Sequence, residues 1–322
     1  MKGSTFYKGV SVFATAILLT MTLHVSQAFA ADKYVIGFSQ VTTVEPWRVQ
    51  FNKDLRAEAE LHKNVELLIS DGNDRTEKQV ADVENFIRQE VDAILISPKE
   101  SAGLTGVVEQ ATDAGIPVFV LDRNVDTDKF VQWVGGDNVL IGEAAGKYAL
   151  ELLGGKGNAK GNIVEIYGGL GIQATFDRSD PFHAAFEGEK GVKFLLERQS
   201  ADWKQDKAYD IMATALRNYE DITMVYGHND PMAYGAYLAA KDAGREKDII
   251  FIGVDGLPNE GVQWVANGEL AATFLYPTPG AEGLRQALKY LAGEKVEKSV
   301  VMGTEAITPE NADAILKKNG LM

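Results

Sequence analysis

The residues of this chain best suited to chemistry are polar side chains that directly follow apolar, strand-like runs. Asp122 and Arg123 follow the run at residues 118–121, and Asn229 and Asp255 stand at the ends of two later runs. Ligands of open α/β sheets bind just past the carboxyl ends of such strands. A carboxylate supplies acceptors and a guanidinium supplies donors, so the pair suits the adjacent hydroxyls of a polyhydroxylated ligand. The alternative is an ion pair that only fixes a turn.

One further arginine and two tryptophans extend this set. Arg178 comes shortly after the apolar run at residues 163–167, and arginine does not cap helix N-termini, so a binding role is favoured there. Trp47 and Trp203 lie among polar residues instead of within apolar strands. Indole faces stack on the C–H faces of sugars, which makes both tryptophans candidates for ligand contact. The alternative for each is a ring that pins a loop to the core.

The remaining motifs do not favour catalysis or a cofactor. The glycine-rich stretch 168–171 lacks the full G-x-G-x-x-G spacing, and we expect it to form a tight turn. No nucleophile elbow or Walker motif is present. Asp122 and Asp255 have similar polar settings, so nothing separates their pKa values as an acid/base pair requires. Asp230 precedes Pro231 and is predicted to cap a helix.

Length and composition indicate a two-domain globular protein without a metal site. The 322 residues suggest two domains of about 130–150 residues each. The chain is 45% apolar and 24% charged, which is ordinary for a folded protein. It has no cysteine, which excludes disulfides, zinc thiolate sites and cysteine nucleophiles. The four histidines are far apart and give no support for a metal site.

The amino terminus, residues 1–30, is predicted to be a cleaved secretory signal peptide. Lys2 and Lys8 precede the apolar run at residues 10–23, and residues 28–30 have the small-x-small spacing of a cleavage site. A retained membrane anchor is the alternative, but the run is shorter than the ~20 apolar residues that a spanning helix needs. Loss of the two lysines changes the formal net charge from −14 to −16, which opposes binding to nucleic acids or anionic lipids.

Strand-like and helix-like segments alternate along the rest of the chain. The predicted strands are residues 34–39, 65–70, 93–97, 118–121, 163–167, 192–196, 224–226, 249–254, 270–274 and 299–302. The predicted helices are residues 47–61, 76–89, 104–114, 182–188, 206–218, 233–243, 260–266 and 280–291. This alternation predicts parallel sheets with helices on both faces, in two similar α/β halves that leave a cleft between the strand ends.

In this order, the segments resemble the periplasmic sugar-binding proteins of ABC importers, of the ribose- and galactofuranose-binding type. The resemblance covers essentially all of the mature chain and is carried by residues 35–40, 120–123, 136–138, 177–178, 201–203, 228–230, 254–256 and 268–273. It implies the type I periplasmic binding protein fold, with two doubly wound parallel-sheet lobes joined by a three-crossover hinge. The implied lobes are residues 31–136 plus 278–303 and residues 137–277 plus 304–322, with crossovers near residues 135–138, 275–279 and 302–305.

The resemblance also implies which residues bind the sugar. Two aromatic rings would stack on it, and polar side chains would hydrogen-bond its hydroxyls and ring oxygen. The implied site consists of Trp47, Arg48, Asp122, Arg123, Arg178, Trp203, Asn229, Asp255 and Tyr276. Arg48 and Tyr276 depart from the ribose type, which has phenylalanine and glutamine there, and Ser97 replaces an asparagine. These departures argue against ribose itself. The Trp47–Arg48 pair, with residues 37–40 before it, resembles instead the furanose branch, which implies L-arabinofuranose or D-galactofuranose.

The resemblance implies a mechanism and a set of partners. Sugar would bridge both lobes, favour the closed form and be delivered to a membrane-embedded ABC permease. The protein is then expected to be periplasmic, monomeric and free of cofactors, metals and nucleic acid, and not an enzyme. Three alternatives compete with this function. A transcription regulator built on the same core would need a helix-turn-helix and a basic surface, which the signal peptide and the negative net charge oppose, and an exported sugar hydrolase would show turnover of a glycoside. A ligand carrier for a chemoreceptor would use the same cleft, and the sequence does not exclude it.

Overall fold

The computed structural model describes residues 1–3 and 33–322. The predicted signal peptide therefore lies outside the described residues, apart from its first three. Residues 33–322 form the compact unit that contains every element named below. Within this described part of the chain, no helix is both long enough and apolar enough to cross a membrane.

Strands and helices alternate through this unit, as predicted. The strands are β1 (Tyr34–Gln40), β2 (Val65–Asp71), β3 (Ala93–Ile96), β4 (Val118–Leu121), β5 (Gln132–Gly136), β6 (Lys160–Tyr167), β7 (Gly191–Phe194), β8 (Gln199–Ser200), β9 (Met224–Gly227), β10 (Ile250–Ile252), β11 (Thr273–Phe274), β12 (Ser299–Met302) and β13 (Ala306–Ile307). The helices are α1 (Pro46–Glu60), α2 (Thr76–Arg88), α3 (Ser101–Asp113), α4 (Asn138–Leu152), α5 (Gln173–Ala184), α6 (Gln205–Asn218), α7 (Asp230–Asp242), α8 (Gly261–Ala266), α9 (Gly280–Leu291) and α10 (Ala312–Lys318).

The larger sheet is parallel throughout, in the order β12-β5-β4-β3-β1-β2. Helices cover both faces, so β3 and β4 are wholly buried and consist of apolar residues. Their register places Ile96 beside Val120, and the chain leaves both strands at the same edge of the sheet. That edge is where Ser97 and Asp122 begin their loops.

The second sheet has the order β10-β9-β6-β7, with β8 also paired to β6, and all its pairs are parallel. A separate antiparallel pair joins β11 to β13. The chain leaves the larger sheet after β5 for the second sheet, returns to it from β11 through α9, and leaves it again after β12 for β13. The prediction of two doubly wound parallel sheets joined by three crossovers is therefore confirmed.

The helix predicted at residues 182–188 begins nine residues earlier and ends four residues earlier. It is α5, and it contains Asp177, Arg178 and Pro181, which the predicted bounds had left out. Pro181 lacks an N–H group, so the helix tolerates it only by giving up the bond to the carbonyl of Asp177. Helices α4 and α10 and strands β5, β8 and β13 were not predicted. The start of α4 has a recognisable signal, because the side chain of Asp137 accepts a hydrogen bond from the amide of Leu140 (2.9 Å).

Helix α4 packs against α5 at very short range. A Cβ built on Gly142 would lie 2.6 Å from the backbone oxygen of Arg178, and one on Gly146 would lie 3.0 Å from that of Phe182. Glycine is required at Gly142 because a rigid backbone atom occupies the space of a side chain. The contact fixes the position of α5 relative to α4, and with it the position of Arg178 near the strand ends.

Replacing Gly142 by alanine is therefore expected to lower the free energy of unfolding by roughly 1–3 kcal/mol, because the helices must separate. Gly106→Ala in α3 is a matched control. Apart from its chain neighbours and the backbone of its own helix, no described atom lies within 4 Å of the Cβ it would add. Alanine in a helix there should raise stability by about 0.5–1 kcal/mol. Chemical denaturation of both variants measures the difference, and an equal gain in stability for both would contradict the role of Gly142.

Candidate functional site

A cavity of about 50 Å³ lies between the carboxyl ends of the two sheets. The structure brings all nine residues of the implied site together around it, with two that were not predicted. The lining residues are Glu45, Trp47, Arg48, Asp122, Arg123, Ala174, Arg178, Trp203, Asn229, Asp255 and Tyr276. They come from helices, loops and a crossover that are far apart in the chain, so the fold alone gathers them.

Asp122 and Arg48 form a buried ion pair on one side of the cavity. The guanidinium of Arg48 lies 3.2 Å from Asp122 and also donates to the side chains of Gln40 (2.8 Å) and Ser97 (3.0 Å). The other oxygen of Asp122 accepts a hydrogen bond from the hydroxyl of Tyr276 (2.7 Å). The carboxylate is therefore held at both oxygens, and its remaining lone pairs are available to a ligand.

Arg123 adds a second guanidinium beside this pair. It donates a hydrogen bond to the backbone carbonyl of Lys99 (2.7 Å) and lies 5.8 Å from the ring centre of Trp203. Burial and the nearby Arg48 lower the pKa of Arg123 to about 10, although Asp122 opposes the shift. Arg123 is thus a cation at neutral pH, and the carboxylates of Asp122 and Glu45 favour its charged form.

Arg178 occupies the opposite side of the cavity. Its Nε donates to the side chain of Asn138 (2.8 Å), one terminal nitrogen donates to the carbonyl of His228, and the same nitrogen lies 3.7 Å from Asp255. Its guanidinium lies 4.6 Å from the ring centre of Tyr276. Burial raises the pKa of Asp255 well above its usual value, and the charge of Arg178 opposes that shift.

Three of the site residues have backbone conformations that L-residues rarely adopt. The φ angles of Asp122, Trp203 and Asp255 are +67°, +65° and +122°. Such conformations cost energy and persist only where the surrounding structure enforces them, which is common at ligand sites. Here each one turns a side chain back toward the cavity at the end of its strand or loop.

The two tryptophans border the cavity from different elements. Trp47, in α1, donates from Nε1 to the carbonyl of Tyr276 (2.8 Å) and stacks on its ring, with ring centres 5.2 Å apart. Trp203 lies under Arg178, whose guanidinium is 5.6 Å from its ring centre. Among the described residues, no hydrogen-bond partner reaches the buried Nε1 of Trp203.

The glycine-rich stretch forms the tight turn that the sequence predicted, because the amide of Ile172 donates a hydrogen bond to the carbonyl of Gly169 (3.1 Å). None of Gly168, Gly169 and Gly171, which all lie in the described residues, needs a positive φ there. A Cβ on Gly168 would lie 2.3 Å from Cη2 of Trp203, and one on Gly169 would lie 3.3 Å from its Nε1. The first two glycines therefore make room for the indole ring.

Asn229, and not Asp230, caps helix α7. The side-chain oxygen of Asn229 accepts from the amide of Met232 (2.9 Å), and its Nδ2 donates to the carbonyl of Trp203 (3.2 Å). Asp230 is the first residue of the helix, fully buried, and accepts from the amide of Gly256 (2.8 Å). Burial raises its pKa to about 8. The predicted cap at Asp230 is wrong by one residue, because an extended backbone is needed at the capping position.

Several residues of the site escaped the sequence analysis. Gln40 ends β1 and Asn138 follows β5, so the strand-end rule that found Asp122 could have found both. Glu45 stands just before α1, 3.4 Å from the guanidinium of Arg48. Ala174 carries no chemical signal. Within residues 1–3 and 33–322, no group of three or more acidic, histidine or cysteine side chains could hold a metal ion.

Sequence comparison places the chain among known proteins. A family model described as a periplasmic binding protein domain matches residues 36–295. The galactofuranose-binding protein YtfQ of Escherichia coli (strain K12) is 33% identical over 302 residues, which cover 91% of this chain and 93% of that protein. The ribose import binding protein RbsB of Bacillus subtilis (strain 168) is 31% identical over 303 residues, covering 89% and 96%.

Solved structures agree with the sequence matches. The fructose-binding periplasmic domain of a hybrid two-component system has a TM-score of 0.83 at 37% identity, over 89% of this chain and 94% of that one. The periplasmic binding protein of the arabinose ABC transporter from Shewanella sp. ANA-3, bound to α- and β-L-arabinofuranose, has a TM-score of 0.82 at 31% identity, over 88% and 95%. The predicted resemblance and the type I fold are thus confirmed, and the chain belongs to the periplasmic binding protein family.

Proposed function

We propose that this protein captures a monosaccharide in furanose form, L-arabinofuranose or D-galactofuranose, and delivers it to an ABC import permease. The observation that carries the proposal is the small cavity in which carboxylates, guanidiniums and indoles alternate. The relatives support it, because one is a galactofuranose-binding protein and another was solved with L-arabinofuranose.

The chemistry of the lining suits a sugar better than an ion or an apolar ligand. Asp122 and Asp255 offer acceptors, Arg178 offers a fork of donors, and each carboxylate has a guanidinium nearby. Adjacent sugar hydroxyls need such paired donors and acceptors. Trp47 and Trp203 supply the apolar surface that the C–H faces of the ring require.

Arg48 supports the furanose form. One terminal nitrogen donates to Gln40 and Ser97, the other donates to Asp122, and the buried Nε lies 3.4 Å from Glu45. The second N–H of the nitrogen that bonds Asp122 is then the donor left for an exocyclic hydroxyl of a five-membered ring. The ribose type has an apolar ring at this position, which offers no such donor.

Hinge closure follows from where the lining residues sit. In the proposed division, residues 31–136 plus 278–303 form one lobe and residues 137–277 plus 304–322 form the other. Arg123 then belongs to the first lobe, Arg178 to the second, and Tyr276 to a crossover. A sugar that contacts both lobes stabilises the closed form, and a shift from mostly open to mostly closed needs roughly 5 kcal/mol of differential binding.

The proposal extends to location and partners. The protein would be exported by the signal peptide at residues 1–30, act as a monomer in the periplasm and dock on the permease in its closed form, without catalysing a reaction. A second candidate is the delivery of sugar to a chemoreceptor or sensor. It is favoured by the similarity to the periplasmic domain of a hybrid two-component system.

A thermal-shift screen against L-arabinose, D-galactose, D-ribose and D-fructose tests the proposal. Ligand at 100 times its Kd should stabilise the protein by about 2.7 kcal/mol. We expect a large shift in Tm with L-arabinose or D-galactose and none with D-ribose, and calorimetry should show an affinity that follows the furanose fraction in solution. A shift with D-ribose alone, or with no sugar, would contradict the furanose proposal. Turnover of a glycoside would identify a hydrolase.

A further inference from the structure

A buried carboxylate lies behind the cavity wall and contacts none of the proposed sugar-binding residues. Glu165, in β6, is 2% exposed at a strand position where an apolar residue is expected. Its carboxylate accepts from the hydroxyl of Tyr167 (2.8 Å) and lies against the Nε2 atoms of His228 (2.8 Å) and His183. Burial opposes its ionisation, but the hydrogen bonds with the two histidines lower its pKa to about 2. Glu165 is therefore anionic at neutral pH.

The charge of Glu165 fixes the protonation of one histidine. His228 is fully buried, and burial lowers its pKa, so its ring is neutral. Its Nδ1 lies 3.3 Å from the amide nitrogen of Gly168, which can only donate. Nδ1 must then be the unprotonated nitrogen, and Nε2 carries the proton that points at Glu165.

His228 in turn holds two parts of the cavity wall. Its backbone carbonyl accepts from the guanidinium of Arg178. Its ring holds the amide of Gly168, the residue whose missing Cβ makes room for the indole of Trp203. A change in the orientation of His228 would therefore displace both Arg178 and Gly168, against which the indole of Trp203 packs.

We propose that Glu165 is a positioning residue for ligand binding, which sets His228 and through it the guanidinium of Arg178 and the indole of Trp203. This inference rests on the proposed sugar-binding function of the cavity. The competing explanation is that Glu165 only stabilises the second sheet. The two explanations differ in whether the loss of binding passes through Arg178.

Glu165→Gln is the test variant, because it keeps the shape of the side chain and removes the charge. With L-arabinose and D-galactose as probes, we expect the affinity to fall roughly tenfold, as for the loss of a hydrogen bond to a charged group. In an Arg178→Lys background the same change should alter the affinity less than twofold, because residues that act as one unit are not additive. Val164→Ala, a buried neighbour on β6, is the control, and it should lower Tm without changing affinity.

A readout without ligand separates this proposal from the proposed function. Side-chain NMR spectra of ¹⁵N-labelled protein should show His228 protonated at Nε2 in the wild type. In Glu165→Gln, the His228 and Arg178 signals should both move. If the wild type binds no sugar, the proposed function fails, and these spectra still decide the role of Glu165.

Two results would overturn the proposal. One is that Glu165→Gln keeps both the wild-type affinity and the wild-type NMR signals of His228 and Arg178. The other is a loss of affinity that is equal with and without Arg178→Lys, which would show a structural role only. If Glu165→Gln does not fold, His228→Gln replaces it, because it leaves Glu165 with a donor but removes the ring, and it should cause the same roughly tenfold loss.

Discussion

Replacing Arg178 by alanine should reduce sugar affinity by about 2–5 kcal/mol, which is roughly 30-fold or more. The change removes the hydrogen bonds of the guanidinium to Asn138 and to the carbonyl of His228. It also leaves Asp255 buried without the cation 3.7 Å away. Because burial already raises the pKa of Asp255, the loss of Arg178 should raise it further and favour a neutral carboxyl. The ligand would lose a donor fork and a charged acceptor together.

Two companion variants make the Arg178 result interpretable. Arg178→Lys keeps the charge but loses the planar fork, so it should retain part of the stability and little of the affinity. Arg217→Ala removes an arginine from the exposed end of α6 and should change neither property measurably. Calorimetry gives the affinities, and chemical denaturation confirms that each variant still unfolds cooperatively. Normal affinity in Arg178→Ala would remove Arg178 from the site.

The parts of the fold that could be predicted are those whose burial produces a recognisable pattern in the local sequence. Strands β3 and β4 are buried on both faces, so they appear as unbroken apolar runs. The first nine residues of helix α5 were missed because its apolar pattern is weak and Pro181 interrupts it. Its stability comes from the close contact with α4 through Gly142. That contact joins residues far apart in the chain, and no local pattern reports it.

Part of the site could be predicted from one rule, that polar residues at the carboxyl ends of buried strands contact the ligand. Polar residues at strand ends gave Asp122, Asn229 and Asp255, and all three line the cavity. The rule did not reveal that Asp122 and Asp255 have positive φ angles, because tertiary contacts enforce that strain. Nor could it show that the glycines after β6 also make room for Trp203, since the indole comes from a loop more than thirty residues later.

Asp122→Asn should be the most informative change on the other side of the cavity. The carboxylate lies 3.2 Å from the guanidinium of Arg48 and counters the charge of Arg123, whose pKa is already lowered to about 10 by burial and by Arg48. Asparagine keeps the shape and tolerates the φ of +67°, so the variant isolates the charge. The buried Arg48 and the partly buried Arg123 would lose their shared carboxylate and keep Glu45, 3.4 Å from Arg48, as the remaining countercharge, which should reduce the free energy of unfolding by about 3–5 kcal/mol. Sugar affinity should fall with it.

Comparison with Asp122→Ala then separates charge from strain. Alanine removes the same charge, and in the left-handed backbone conformation it costs about 1–2 kcal/mol more, because its side chain cannot hydrogen-bond locally. Asp126→Asn, an exposed carboxylate in the same loop, is the control and should leave stability within about 0.5 kcal/mol of the wild type. Denaturation in guanidinium chloride and calorimetry measure all three. If Asp122→Asn matched Asp126→Asn in both stability and affinity, the carboxylate would be neither the countercharge of the two arginines nor a ligand for the sugar.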